Sequence, residues 1–148
     1  MNKISCSVTI LTFNSAKTLR QCLESVRDFD DIVILDGGST DGTLEIAREF
    51  GARIFSQKEG GVTGKIDNFT EIRKKSFELA KYDLVFYLDS DEYLSEALKE
   101  DVRRAVGEDD RRKVYYFNRV AIVEGKIIKH AFFYPEFTLR LINKKGGT

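Results

Sequence analysis

The sequence predicts an α/β fold, a mainly parallel sheet with helices on both faces, followed by a β-rich C-terminal part. Two observations carry the first half of that reading. Short apolar runs rich in β-branched residues alternate with segments of helical periodicity through the first two thirds of the chain, and each run gives way at once to small or acidic residues. Such alternation builds βαβ units with right-handed crossovers. The third observation is a change of character beyond Gly107, where strand-like segments follow one another without helices between them.

Ile4 to Phe13, rich in Ile, Val, Thr and Leu, reads as the first strand, with Asn14 or Ser15 as N-cap of the helix behind it. Leu19, Cys22, Leu23 and Val26 then recur with the spacing of one helical face. Ile32 to Leu35 is a second strand of the buried type. Asp36-Gly-Gly-Ser-Thr-Asp-Gly42 follows, its glycines suited to tight turns, with Ser39, Thr40 and Asp41 as caps for a helix carrying Leu44, Ala47 and Phe50. Ala52 to Phe55 is a short third strand, and Gln57 to Gly64 a loop expected to be mobile. A longer helix from Asp67 to Lys81, with Phe69, Ile72, Phe77 and Ala80 inward, delivers the chain into Leu84 to Leu88, an unbroken apolar run with the length of a strand covered on both faces. Leu94, Ala97, Leu98, Val102 and Ala105 mark the next helix, which Gly107-Glu-Asp-Asp110 ends. Val114 to Val123 and Lys126 to Phe133 read as two strands around a turn at Glu124-Gly125, and Phe137 to Ile142 as a third.

Composition narrows the function classes. The 148 residues amount to about one domain, and 24 basic residues balance 24 acidic ones, so nothing marks a nucleic-acid binder. No apolar run approaches the ~20 residues that span a bilayer, and the N-terminus lacks the basic-then-apolar layout of a signal peptide. The cytoplasm is the expected compartment. Cys6 and Cys22, outside any paired spacing, read as small buried residues.

Chemistry concentrates where the strands end. The Leu84 to Leu88 run turns abruptly acidic at Asp89, Asp91 and Glu92. Closely spaced carboxylates at a sheet edge suit a hard cation, Mg²⁺ or Mn²⁺, that keeps room for substrate phosphates. The plainer alternative is that Ser90 or Asp91 caps the following helix, with Glu92 as a first-turn charge. Ligands of open parallel sheets bind outside the carboxyl ends of the strands. Thr12 with Asn14, Asp36 to Asp41, and Asp89 to Glu92 all follow strands at that edge, and are expected to converge on one crevice. A glycine-rich turn, helix N-termini and an acid pair together suit a nucleotide whose diphosphate a divalent cation bridges to the protein. The P-loop and dinucleotide fingerprints are both absent.

Three motifs in order, Ser7-Val-Thr-Ile-Leu-Thr-Phe-Asn14, Val33-Ile-Leu-Asp-Gly-Gly-Ser-Thr-Asp-Gly-Thr43 and Leu88-Asp-Ser-Asp-Glu92, resemble those of family 2 glycosyltransferases of the GT-A fold. Lys129-His-Ala-Phe-Phe-Tyr-Pro-Glu136 and Leu139-Arg-Leu141 look like the subgroup that includes lipopolysaccharide core β-glucosyltransferases. The resemblance implies inverting transfer of a sugar from a nucleoside diphosphate sugar, with UDP-sugar first, to a hydroxyl on a glycan or lipid-linked acceptor. It places Thr12 and Asp36 at the nucleoside, Asn14 beside them, and Arg73 near the nucleotide. Asp89 and Asp91 match the family's Asp-x-Asp, Asp89 towards the ribose and metal and Asp91 on the metal. It also divides the chain into a nucleotide-binding part over 1–106 and an acceptor-side part over 107–148, and it adds the inner face of the cell membrane as a peripheral location.

Two departures stand out. Family members often carry Asp-Asp-Gly-Ser where this chain has Asp36-Gly37-Gly38-Ser39. The family's general base lies further along, so the base is expected beyond Thr148 of a longer enzyme, with Glu136 the fallback ahead of Glu124. On the acceptor side His130 and Tyr134 are candidates, each with a structural alternative, as a lone histidine and as one of several core aromatics. Asp36 has a turn-forming alternative, Arg73 that of a solvated helix face, and Asp41 reads first as a cap. Two rival functions remain at this stage, a donor-binding piece that transfers nothing and a sugar nucleotidyltransferase. A homodimer through an unpaired strand edge is the expected mode of any self-association.

Overall fold

The computed structural model describes residues 2–58, 69–128 and 136–146. Its elements run β1 (Ile4–Thr12), α1 (Ala16–Ser25), β2 (Phe29–Asp36), α2 (Thr43–Glu49), β3 (Arg53–Ser56), α3 (Phe69–Leu79), β4 (Leu84–Asp89), α4 (Glu96–Glu108), β5 (Tyr115–Arg119), β6 (Ile122–Val123), β7 (Lys126–Ile127) and β8 (Glu136–Asn143). One sheet has the order β3-β2-β1-β4-β8-β5, and β6 with β7 forms a separate two-stranded ribbon. The first four strands of that order are mutually parallel. β8 lies antiparallel against β4, and β5 antiparallel against β8. The α/β expectation therefore holds, and the β-rich end extends the same sheet.

Successive strand side chains point to opposite faces, so each apolar run divides between two cores. Val8, Ile10, Ile32, Ile34, Phe86 and Leu88 meet Leu19, Cys22 and Leu23 of α1, Ala47 of α2, and Val102 and Ala105 of α4. The alternating partners Val33 and Leu35 meet Ile72 of α3, with Leu11, Phe55 and Leu79 around them. Burying an aliphatic side chain of this size contributes about 1.5–3 kcal/mol, which favours this register over a one-residue slip.

Several boundaries differ from the expected ones for identifiable reasons. β2 begins at Phe29, upstream of Ile32, because Asp31 is accommodated inside the sheet edge. Its carboxylate accepts hydrogen bonds from Ser7 Oγ (2.6 Å), Arg53 Nε (2.9 Å), Arg53 Nη2 (3.0 Å) and the Lys81 amide (2.9 Å). Phe69 is 69% exposed, not inward, since the first turn of a crossover helix stands at the carboxyl edge of the sheet. Ala97 is likewise exposed, and Lys99 is buried in its place, paired with Asp28 (3.2 Å) and Glu96 (2.6 Å). The two long strands expected after Val114 contract to β5 and the small β6–β7 hairpin, whose turn takes left-handed Glu124 (φ 49°) and Gly125 (φ 75°). Residues 129–133 of that expectation, the start of the Asp67 helix and most of the Gln57 to Gly64 loop lie outside the described residues. Gln57 itself is buried. Among the described residues no helix is long and apolar enough to cross a membrane.

Candidate active site

The parallel register sets the site. Thr12 stands opposite Asp36, and Leu11 opposite Asp89, so the ends of β1, β2 and β4 are level at one edge. With neighbouring strands ~4.8 Å apart, Asp36 and Asp89 flank β1 at a separation of roughly 10 Å between backbones. That is the scale of a nucleoside diphosphate lying across the edge.

Asp36 is held by four donors. Thr12 Oγ1 (2.7 Å) and Ser39 Oγ (2.6 Å) donate to Oδ1, while the Gly38 (2.9 Å) and Ser39 (2.7 Å) amides donate to Oδ2. Burial pushes this carboxyl up, but the Ser39 hydroxyl and amide, Thr12 and Gly38 outweigh it and leave Asp36 below the usual carboxylate range. Gly38 has φ +103°, a conformation that L side chains rarely adopt and that aims the two amides at Asp36. Gln57 completes the floor, donating from Nε2 to the carbonyls of Leu35 (2.9 Å) and Thr12 (3.3 Å), and from its backbone N–H to the Asp36 carbonyl (2.9 Å).

Asn14 and Ser15 do not cap α1 with their side chains. Asn14 sits at φ 46°, its amide donating to Ser39 Oγ (2.8 Å) and its Oδ1 accepting from the Thr40 amide (2.8 Å). It ties the first strand's exit to the glycine-rich turn. Asp41 serves the N-termini of both α1 and α2, accepting from the Ala16 amide (3.2 Å) and from the Thr43 amide (3.0 Å).

The acidic turn is not a helix cap. Ser95 caps α4, accepting from the Leu98 amide (3.2 Å), which leaves residues 89–92 outside the helix and removes the first-turn role expected of Glu92. Instead Glu92 closes the turn on itself: its amide donates to the Asp89 carbonyl (3.0 Å), and its Oε1 accepts from the Asp89 amide (2.9 Å). Ser90 Oγ donates to Ser15 Oγ (3.0 Å), and the Cys22 thiol lies 3.7 Å from the Asp89 carbonyl, so both halves of the site are stitched together. Burial foremost, and then the charges of Glu92, Asp91 and Asp89, push the Cys22 thiol up to about 12, which leaves it inert.

Three arginines converge on this turn. Arg73 of α3 places Nη2 3.5 Å from Asp89 Oδ1, and Arg140 of β8 places Nη2 3.4 Å from Asp89 Oδ2 and 3.1 Å from Glu92 Oε2. Arg119 of β5 stands 3.4 Å from Glu92 Oε2. Arg73 and Arg140 also stack on the Tyr87 ring, 4.1 and 5.0 Å from its centroid. Burial raises the Glu92 carboxyl above its ordinary value, with the nearby Asp89 charge in the same sense and the Asp89 amide, Arg140 and Arg119 opposing. Asp91 is exposed and makes no hydrogen bond or ion pair among the described residues. Nor do those residues gather three His, Cys, Asp or Glu side chains into a metal cage. One open carboxylate beside a second one engaged by arginine nevertheless fits Mg²⁺ or Mn²⁺, which one or two carboxylates and substrate phosphates commonly hold.

Beside the turn, between β4, β5, β8 and the start of α4, lies a cavity of about 790 Å³. Asp91, Glu92, Arg119, Glu136 and Arg140 line it together with Phe117 and Thr138. Thr138 Oγ1 is buried without a hydrogen-bond partner among the described residues. A second cavity of about 340 Å³, walled by ion-paired Arg20 and Glu49, contains none of these acids.

A model of glycosyl transferase family 2 matches residues 7–147. The chain belongs to glycosyl transferase family 2. An uncharacterized glycosyltransferase of Rickettsia typhi is 28% identical over 148 residues, covering 98% of this chain and 48% of its own length. The glycosyltransferase SunS of Bacillus subtilis, derived from prophage SPbeta, is 29% identical over 144 residues, covering 97% and 32%. This family 2 chain thus spans half or less of the curated relatives it matches. Among solved structures, residues 1–349 of S. aureus TarS in complex with UDP align with TM-score 0.63 at 20% identity, covering 88% of this chain and 39% of that one. The fold is accordingly GT-A-like.

Thr12, Asn14, Asp36, Arg73, Asp89 and Asp91 lie at one edge of this family 2 fold, and of these only Asp91 lines the cavity beside the acidic turn. Glu136 is exposed on β8 opposite Arg119 and lines the same cavity as Asp91 and Glu92. His130 and Tyr134 lie outside the described residues. Sequence reasoning gave no role to Gln57, Tyr87 or Arg140, and placed Glu92 in a helix. An arginine between two leucines of a strand was the available signal for Arg140.

Proposed function

We propose that this chain is the donor-binding part of a metal-dependent, inverting glycosyltransferase that moves a sugar from a nucleoside diphosphate sugar, UDP-sugar first, to a hydroxyl acceptor. The observation that carries the reading is that β1, β2 and β4 end within one residue of one another, Thr12 opposite Asp36 and Leu11 opposite Asp89, with Ser15 bonded to Ser90 across them. In this reading Asp36, whose acceptor sites are filled by its four donors, fixes the glycine-rich turn beside the nucleoside base, and Asn14 ties that turn to the end of β1. Arg73 faces the diphosphate from α3. Asp91, with Asp89 beside it, holds Mg²⁺ or Mn²⁺, which supplies Lewis-acid offset of the charge developing on the leaving diphosphate.

The cavity beyond the turn receives the acceptor, a lipopolysaccharide or other cell-surface glycan. Its polar wall offers hydrogen bonds to a sugar, and Phe117 an apolar surface. Transfer with inversion needs a carboxylate within hydrogen-bond reach of the acceptor hydroxyl. We place that base beyond Thr148, with Glu136 as the candidate on the cavity wall.

Calorimetric titration with UDP and Mn²⁺ tests the site. Asp91→Asn is expected to abolish metal-dependent UDP binding, and Asp36→Asn to weaken UDP with or without metal. Unchanged affinity in Asp91→Asn rejects the assignment of the cation.

A further inference from the structure

Asp36 has no acceptor left for a ligand to use. A carboxylate accepts about four hydrogen bonds, and Thr12, Gly38 and Ser39, the last through both hydroxyl and amide, supply them. The open acceptor beside it belongs to Gln57, directly after β3. Gln57 is 5% exposed, and its Nε2 donates to the carbonyls of Leu35 and Thr12. Two carbonyls facing one end of a side-chain amide mark that end as the nitrogen, so the other end is the oxygen. Among the described residues Oε1 accepts no hydrogen bond, and it reaches the surface, since Thr138 Oγ1 is the only enclosed side-chain oxygen or nitrogen there without a partner.

The space in front of Oε1 is open because residue 37 is a glycine. A Cβ added to Gly37 would lie 3.2 Å from Gln57 Oε1 and 3.4 Å from Phe13 Cδ2. Backbone conformation does not call for a glycine at this position, because the left-handed residue of the turn is Gly38. The missing side chain therefore exposes an amide oxygen next to an open aromatic residue, Phe13, at the level where β1 and β2 end.

We propose that Gln57 is the specificity-determining residue for the nucleobase, its Oε1 accepting the N3–H of uracil, with Gly37 free of a side chain so that this edge of the ring can approach. This rests on the donor-site reading above and names the group that selects the base. Cytosine carries no hydrogen on N3, so acceptor would face acceptor. The amide cannot turn round to offer its nitrogen instead, because two strand carbonyls hold Nε2.

The test is calorimetric titration with UDP and with CDP, Mn²⁺ being present throughout. The unaltered chain is expected to bind UDP about tenfold or more tightly than CDP, the scale set by leaving a largely buried acceptor unpaired. Gln57→Leu, similar in size, is expected to bring the two affinities together. Gly37→Ala keeps both Nε2 bonds, sets a methyl group against Oε1, and is expected to weaken UDP and shrink the same ratio. A merely structural role for Gln57 lowers stability, or both affinities alike, and leaves the ratio unaltered, which overturns the proposal. Should Gln57→Leu fail to fold by circular dichroism, Gly37→Ala decides, and an unchanged preference for UDP in that variant overturns the proposal. Equal affinity for UDP and CDP in the unaltered chain overturns it while leaving the donor site in place. Failure to bind either nucleotide overturns both.

Discussion

Asp36 shows how one side chain becomes a fixed reference point. Two of its donors, the Gly38 and Ser39 amides, come from the next turn of chain, and one, Thr12 Oγ1, crosses from the neighbouring strand. The local part was legible, because Asp followed by glycines and serine is a turn that bonds its own backbone. The crossing part follows only from the sheet register. Thr12→Val keeps the shape of a buried residue and removes that one donor. It is expected to cost about 1.5–3 kcal/mol in urea denaturation, the usual range for a hydrogen bond to a charged group. An unchanged midpoint shows that the Thr12 hydroxyl is not a working partner of Asp36. Gln57 lay beyond sequence reasoning for the same reason as Thr12's bond: nothing in a loop glutamine says that its amide will reach two strand carbonyls.

At the scale of elements, the placement of the α4 cap decides what the acidic turn is free to do. Ser90 and Asp91 looked like caps because they follow a strand and precede helical periodicity. The helix starts later, at Glu96, and Ser95 has no Glu or Gln three residues on to announce a capping box. Ser95→Ala is expected to cost about 1 kcal/mol in thermal or urea unfolding. UDP and Mn²⁺ binding should stay intact in that variant, because the turn is held by Glu92, Ser15 and Leu94 contacts of its own. Loss of binding with retained fold shows instead that α4 sets the turn's geometry. The βα units were readable from periodicity, since each strand and helix carries its own signal. The split of the C-terminal strands was not, because β8 pairs with β4 and β5 over long separations that only the folded sheet defines.

For the whole molecule, acid stability reflects two buried carboxylates. Asp31 and Asp36 both titrate below the ordinary value: burial raises each, and hydrogen bonds overcome it, from Arg53 and Ser7 first for Asp31 and from Ser39 first for Asp36. A depressed folded pKa means stability that is complete above the unfolded value and is lost as the pH falls through the folded one. Glu92, raised chiefly by burial, has the opposite sign, so its protonation on acidification favours the fold. Urea midpoints are therefore expected to hold near neutrality and to drop only below pH ~4, near the reference carboxylate values. Asp31→Asn should flatten that drop, and an acid limb of unchanged steepness in the variant removes Asp31 as its source. Asp31 was hard to read because two adjacent aspartates look like the end of a strand, whereas Ser7, Arg53 and the Lys81 amide admit one of them into it.

The late arrival of β8 has a consequence for synthesis. All three acids of the turn have been added to the chain by residue 92, but the arginine that clamps two of them lies 51 positions beyond Asp89. At about 5–20 residues per second, the nascent chain carries that turn uncompensated from the β8 side for several seconds. During that interval only Arg73 is already in place to meet Asp89. The emerging chain therefore carries its acidic turn half-paired until the last strand of the sheet is made.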